Sequence, residues 1–186
     1  MNSKAKIIFK DDTANLYDIG YILTDIYQTI SLAHLIEEAD FEVVEKKYGA
    51  DAKGLNRYSA YNEKIAKSSE IMEVKNGSVE LIIPLAGLVV SILSPFLGAL
   101  VGQKLRERNE QVSFEINPDN QLLKDIMDNY QLGQYGRGID GLNQLMDVLS
   151  DNDFNVNMLR QNAFVIHNAL DRSTNRIVRT IRKNRR

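Results

Sequence analysis

Apolar and polar positions along this chain follow two rhythms. Residues 4–10 (KAKIIFK) read as a short strand. Asp11, Asp12 and Thr13 follow as helix N-cap candidates, since a side-chain oxygen there satisfies a free backbone N–H and negative charge is favoured at a helix start. Leu16, Ile19, Leu23, Ile26, Ile30 and Ala33 then recur every three or four residues. That spacing predicts an amphipathic core helix to about Ala39, its apolar stripe widened by Tyr17, Tyr21 and Tyr27. Residues 46–69 mix glycine, asparagine, serine and charge, and read as loop with a short strand or helix.

Two β-rich runs, 70–75 and 78–83, flank Asn76-Gly77, a favoured pair for a two-residue hairpin turn. An uninterrupted register sets Val74 opposite Val79, Met72 opposite Leu81 and Ile71 opposite Ile82. It also sets Glu73 opposite Glu80, a repulsive like-charge pair. Residues 111–116 alternate again, and Asn117-Pro118 predicts a helix start, with Leu122, Leu123, Ile126, Met127 and Tyr130 supplying its apolar face. A glycine-rich stretch at 133–141 precedes a short helix at 142–149. After a polar break at 151–155, a long helix is expected from about Val156. In it Val156, Leu159, Ala163, Ile166, Leu170 and Ile177 keep near-heptad spacing, interrupted by Ser173 and Thr174.

These elements define an α+β fold: a small antiparallel sheet, made of the N-terminal strand and the hairpin at 70–83, packed with helices. One of those helices is long and apolar, and another is an extended amphipathic helix at the C-terminus. The chain divides into an α+β domain over 1–155, which includes the apolar helix 84–103, and a C-terminal helix with a basic end over 156–186.

The apolar helix departs most from a soluble average. Residues 81–103 contain no charged side chain, and 84–103 alone is long enough for a bilayer, which needs about 20 apolar residues. Gly87, Ser91, Ser94, Gly98 and Gly102 form a stripe of small side chains that lets another helix approach closely. Pro95 in mid-helix and the claim of the hairpin on 81–83 argue against a span, and flanking lysines and arginines balance across it. The segment is expected to be a core or subunit-interface helix, with membrane insertion or anchoring through 81–103 as the alternative.

Composition narrows the chemistry. The chain has 186 residues, a formal net charge of −2, two histidines and no cysteine, which removes disulfides, thiol catalysis and Cys-based zinc sites. His34 sits beside Glu37 and Glu38 as a helix-surface pair, and His167 lies among apolar positions as a structural histidine. Residues 136–141 (GRGIDG) match G-x-G-x-x-G, but a helix precedes them and no βαβ pattern surrounds them. They read as a helix C-cap and turn in which Arg137 could grip an anion. Residues 151–157 imitate a calcium loop, yet Val156 and Asn162 stand where glycine and glutamate are needed, so helix capping is preferred. A non-enzymatic protein without metal or cofactor is the expectation.

Net charge conceals a strong asymmetry. Residues 172–186 carry seven basic side chains and no acidic one, while the remaining 171 residues hold 25 acidic and 16 basic. At 100° per residue Arg172, Arg176, Arg179, Lys183 and Arg186 share an arc of about 80°, with Arg182 on its flank and Leu170, Ile177, Val178 and Ile181 opposite. The reading is a self-associating interaction protein, assembling through the small-residue face. Its basic helix would engage an acidic surface or anionic ligand, or its own acidic body. The expected partners are a second copy and an acidic protein surface, nucleic acid or anionic lipid. Nucleic-acid or nucleotide binding through Arg172 to Arg186 is a further alternative. The N-terminus lacks a signal-peptide pattern, which makes a cytoplasmic location the default, with membrane association as the variant.

Overall fold

A computed structural model describes residues 2–10, 15–49, 70–75, 78–110 and 112–183. The strands are β1 (Asn2–Lys10), β2 (Glu70–Lys75), β3 (Ser78–Ala86) and β4 (Ser113–Pro118). They form one antiparallel sheet in the order β2-β3-β1-β4, and the fold is α+β. The N-terminal strand is thus an inner strand. Its register sets Ile7 opposite Ile116 and Phe9 opposite Phe114. All four side chains are buried, and the Phe9 and Phe114 rings meet edge-on at 6.3 Å. Lys6, Lys10 and Glu115 alternate with them on the exposed side.

The hairpin keeps Val74 opposite Val79 and Glu73 opposite Glu80. Its outer end corrects the uninterrupted register: the pairing shifts between Ile71 and Glu73, so Ile71 faces Leu81 and Glu70 faces Ile82. An extra residue at Met72, the position of a β-bulge, accounts for the slip. The turn residues Asn76 and Gly77 lie outside the described residues, as do Asp11, Asp12, Thr13 and 50–69.

Helix α1 (Leu16–Glu37) is capped by Asn15, whose Oδ1 accepts from the Asp18 N–H at 3.0 Å. Its first turn differs from the expected core helix, because Leu16 and Tyr17 are exposed and Tyr21 is bonded to Tyr17 through their hydroxyls at 2.8 Å. A second helix, α2 (Phe41–Tyr48), begins at Asp40, whose side chain accepts from the Val43 N–H. It stands where the pattern suggested the end of one helix and the start of a loop. The Tyr48 hydroxyl donates to the Gln28 carbonyl at 3.1 Å and ties α2 to α1; burial pushes that phenol well above its ordinary pKa.

The apolar run divides between two elements. Pro84, Leu85 and Ala86 belong to β3, where Pro84 faces Lys4 of β1 beyond the last β2 pair, a stretch where β3 is itself an edge on one side and tolerates proline. Gly87, at φ +103°, turns the corner into α3 (Leu88–Glu107). The helix therefore starts and ends four residues later than the expected 84–103, and it runs through Pro95 without ending. Glu37, from the last turn of α1, caps it: the Leu88 and Val89 N–H groups donate to its two carboxylate oxygens at 2.8 and 2.9 Å. A Cβ at position 87 would lie 2.4 Å from that carboxylate. Glu37 thus serves as a tertiary cap on α3.

The remaining helices are α4 (Gln121–Gln131), α5 (Gly138–Asp151), α6 (Asn157–Gln161) and α7 (Ala163–Lys183). The expected helix start at Asn117-Pro118 is instead the end of β4, paired with Lys6 and Ala5. An edge strand tolerates a terminal proline, and Asn120 takes the capping role, accepting from the Leu123 N–H at 3.0 Å. The expected helix from Val156 is two helices, broken at Asn162, whose amide donates back to the Met158 carbonyl at 2.9 Å. The 151–155 segment caps α6 as expected, from one residue before the N-cap Val156: Asn155 Oδ1 accepts from the Asn157 N–H at 3.3 Å. Ser173 and Thr174 lie within the packed face of α7, 4% and 1% exposed.

Helix α3 is the centre of this arrangement. The sheet covers it on one side, while α1, α4 and α7 pack around it, and α7 also packs along α1, α2 and α5. It is long and apolar enough to cross a membrane by length and composition, and 72% of that apolar window is buried inside the chain.

Candidate anion-binding face

The small-residue stripe is engaged within the chain. Gly98 lets α3 approach β4, where a Cβ would lie 2.8 Å from the Ile116 nitrogen, and a Cβ on Gly102 would run into the Gln131 amide. Ser94 is buried, and its hydroxyl has no hydrogen-bond partner among the described residues. Ser91 is half-buried and returns its hydroxyl to the Gly87 carbonyl at 2.7 Å, while Gly87 itself lies exposed at the corner before α3.

Helix α7 is amphipathic as its pattern requires, with Leu170, Ile177, Val178 and Ile181 all buried. Its cationic arc is divided along its length. Arg172 donates to the Tyr48 carbonyl at 2.7 Å, satisfying the end of α2, and to the Asn168 carbonyl at 3.2 Å. Arg176 reaches the carboxylate of Asp25 at 2.6 Å and the Gln28 side chain at 2.9 Å, both presented by α1. Asp25 is 5% exposed, so this cation neutralises a buried anion. A sequence signal for that partnership existed: Asp18 and Asp25 stand seven residues apart inside an apolar stripe, with Gln28 one turn further on.

Beyond Arg176 the partners change. Arg182 donates to Glu110 at 3.1 Å, leaving other guanidinium N–H groups for a second acceptor. Arg179 and Lys183 are exposed, and neither has an ion pair among the described residues. Arg108, the C-cap of α3, stands with them and was legible in sequence only as a flanking charge. Arg108, Asn175, Val178, Arg179, Arg182 and Lys183 line one groove of about 570 Å³. Arg186 lies outside the described residues.

The other singled-out groups gather one step back along the α3/α7 seam. Lys104 bonds Asp171 at 2.7 Å and Asn175 at 2.9 Å, and Asn175 donates in turn to Asp171 at 2.9 Å. Arg137 forms a 3.2 Å pair with Glu107, and His167 stands beside Gly138. The glycine-rich stretch resolves into two devices. Gly133, at φ +80°, closes α4 by donating to the Tyr130 carbonyl at 2.9 Å. Residues 136–141 form the entry to α5: the Gly136 N–H donates to Gln144 at 2.9 Å, and a Cβ on Gly141 would strike the Gly136 carbonyl. They start a helix, where a C-cap was expected.

Comparison with known proteins gives no matching family model, no matching curated protein and no matching solved structure.

Proposed function

We propose that the protein is a non-enzymatic binding module that captures a compact ligand bearing several phosphate groups in the cationic groove between the ends of α3 and α7. The observation that carries this reading is the division of the basic helix. Arg172 and Arg176 are used inside the fold, whereas Arg108, Arg179 and Lys183 converge without an acidic partner among the described residues. Lysines and arginines in the last turn of a helix also favour their own dipole. That effect explains isolated charges at a helix end, but it does not require two helix ends to face one concavity. Guanidinium forks match phosphate oxygens two at a time, and a concave site suits a compact polyphosphate better than a flat lipid surface.

Binding of inorganic tripolyphosphate, measured by calorimetry, tests the proposal. The native chain should bind, and its affinity should fall severalfold between about 50 and about 200 mM salt. R179E/K183E should weaken binding by about tenfold or more, since two attractive contacts become repulsive. R160E alters a cation paired instead with Asp147, and it should bind like the native chain. No binding at low salt, or equal loss in both variants, would contradict the proposal.

A second reading is membrane association through α3, favoured by its length and apolar composition. It requires α3 to exchange its contacts with β4, α1 and α7 for lipid. Co-sedimentation with anionic vesicles, with and without R179E/K183E, separates the two readings: vesicle binding indifferent to these residues supports the membrane role.

A further inference from the structure

A second cavity, of about 180 Å³, opens on the α3/α7 seam, and it uses residues that the cationic groove does not. Its apolar lining comes from Phe96, Leu100 and Leu170, with Tyr130 set edge-on to Phe96 at a ring separation of 4.8 Å. Thr174 also lines it, 1% exposed, and its hydroxyl oxygen is buried with no hydrogen-bond partner among the described residues. A buried, unsatisfied hydroxyl costs stability unless a ligand or water completes it. A cavity of comparable size, about 150 Å³, holds a benzene-sized ring.

The mouth of this cavity supplies the opposite chemistry. Gly138, the first residue of α5, lines it at φ +62°, and the N-cap residue Arg137 makes no side-chain cap bond to this helix. Its first-turn N–H groups can thus meet an anion, beside Asp140, which already stands in that turn. Arg137, immediately before, is 82% exposed, and among the described residues it pairs with Glu107 alone, at 3.2 Å. An exposed pair of this kind contributes little, so the guanidinium is readily redirected to a ligand.

We propose that this cavity is a binding site for a small monocyclic aromatic carboxylate. The ring lies against Phe96, Leu100 and Leu170. The carboxylate meets Arg137 and the start of α5, and a small turn of the Thr174 side chain brings its buried hydroxyl to a polar ring substituent. The site is independent of the phosphate groove, with Lys104, Asp171 and Asn175 forming the bonded partition between them.

Titration of the isotopically labelled full chain with benzoate, 4-hydroxybenzoate and benzamide, followed by amide NMR, tests the assignment. A ligand of this size should bind in the millimolar range, and benzoate should shift the amides of Gly138, Ile139 and Thr174. R137A should weaken benzoate about threefold or more while leaving neutral benzamide unchanged. T174V, which keeps the shape and removes the hydroxyl, should weaken 4-hydroxybenzoate about three- to tenfold and benzoate less. R179E/K183E should alter none of these affinities, which separates failure of this site from failure of the groove. Position 137 is exposed, so R137A reports on binding even if T174V perturbs the fold. Absence of shifts at these amides at about 10 mM probe, or equal weakening of benzoate and benzamide by R137A, would overturn the proposal.

Discussion

Replacing Arg176 by alanine should destabilise the fold far more than an ordinary surface arginine would. The guanidinium contacts Asp25 and Gln28 on α1, and its own neighbour Ser173 at 3.3 Å. Truncation leaves the Asp25 carboxylate in place, with a side chain only 7% exposed. Losing one partner of a buried ion pair costs about 3–5 kcal/mol. Because the Arg176 side chain is itself 31% exposed, water can enter the vacated site, and a smaller loss, about 2–3 kcal/mol, is expected. For a chain of this size that is a fall in Tm of roughly 4–12 °C. Urea denaturation of R176A, D25A and the double variant forms the assay. The double variant should be less destabilised than the sum, with a coupling of about 1 kcal/mol or more. A loss below about 0.5 kcal/mol for R176A, the range of ordinary surface substitutions, would refute the assignment of this residue to the interior.

The tertiary cap on α3 makes a similar claim, and E37A should cost about 1–2 kcal/mol in urea denaturation by freeing the N–H groups of Leu88 and Val89. At Gly98 an added methyl must displace the β4 backbone at Ile116, so G98A should lose about 1–3 kcal/mol despite its better helix propensity, as thermal unfolding would report. Desolvation raises the Tyr130 phenol from 10.0 to about 12. The folded state then retains a proton that the unfolded state releases, so Tyr130 stabilises the fold fully below pH 10 and progressively less as pH rises towards 12, by about 2–3 kcal/mol in all. Native Y130F should lack this share of the alkaline destabilisation.

The elements legible in the sequence were those whose pattern answers to local geometry. A short β-rich run between lysines marked β1, with Ile7 and Phe9 two residues apart on one face, and three-four spacing marked the apolar sides of α1 and α7. Positions decided by distant chain were harder to read. Asn117 and Asn120 are both good caps, and only the pairing of β4 with β1 decides that Pro118 is extended. Helix α2 is short and carries Val43-Val44, which alone suits a strand. The basic arc was visible as a unit, yet its division depends on where α1 and α2 bring Asp25 and the Tyr48 carbonyl, contacts spanning more than a hundred residues. Arg108 joins the groove for the same reason: α3 and α7 end side by side, a fact of packing that no local spacing records.

That division between inward and outward cations is most directly measured by the salt dependence of tripolyphosphate binding in the native chain and in R179E/K183E, each compared for stability. The account predicts salt-sensitive binding by the native chain, its loss in the variant, and unchanged urea midpoints for both. A variant that binds as the native chain does, or that loses binding only because it unfolds, would contradict it.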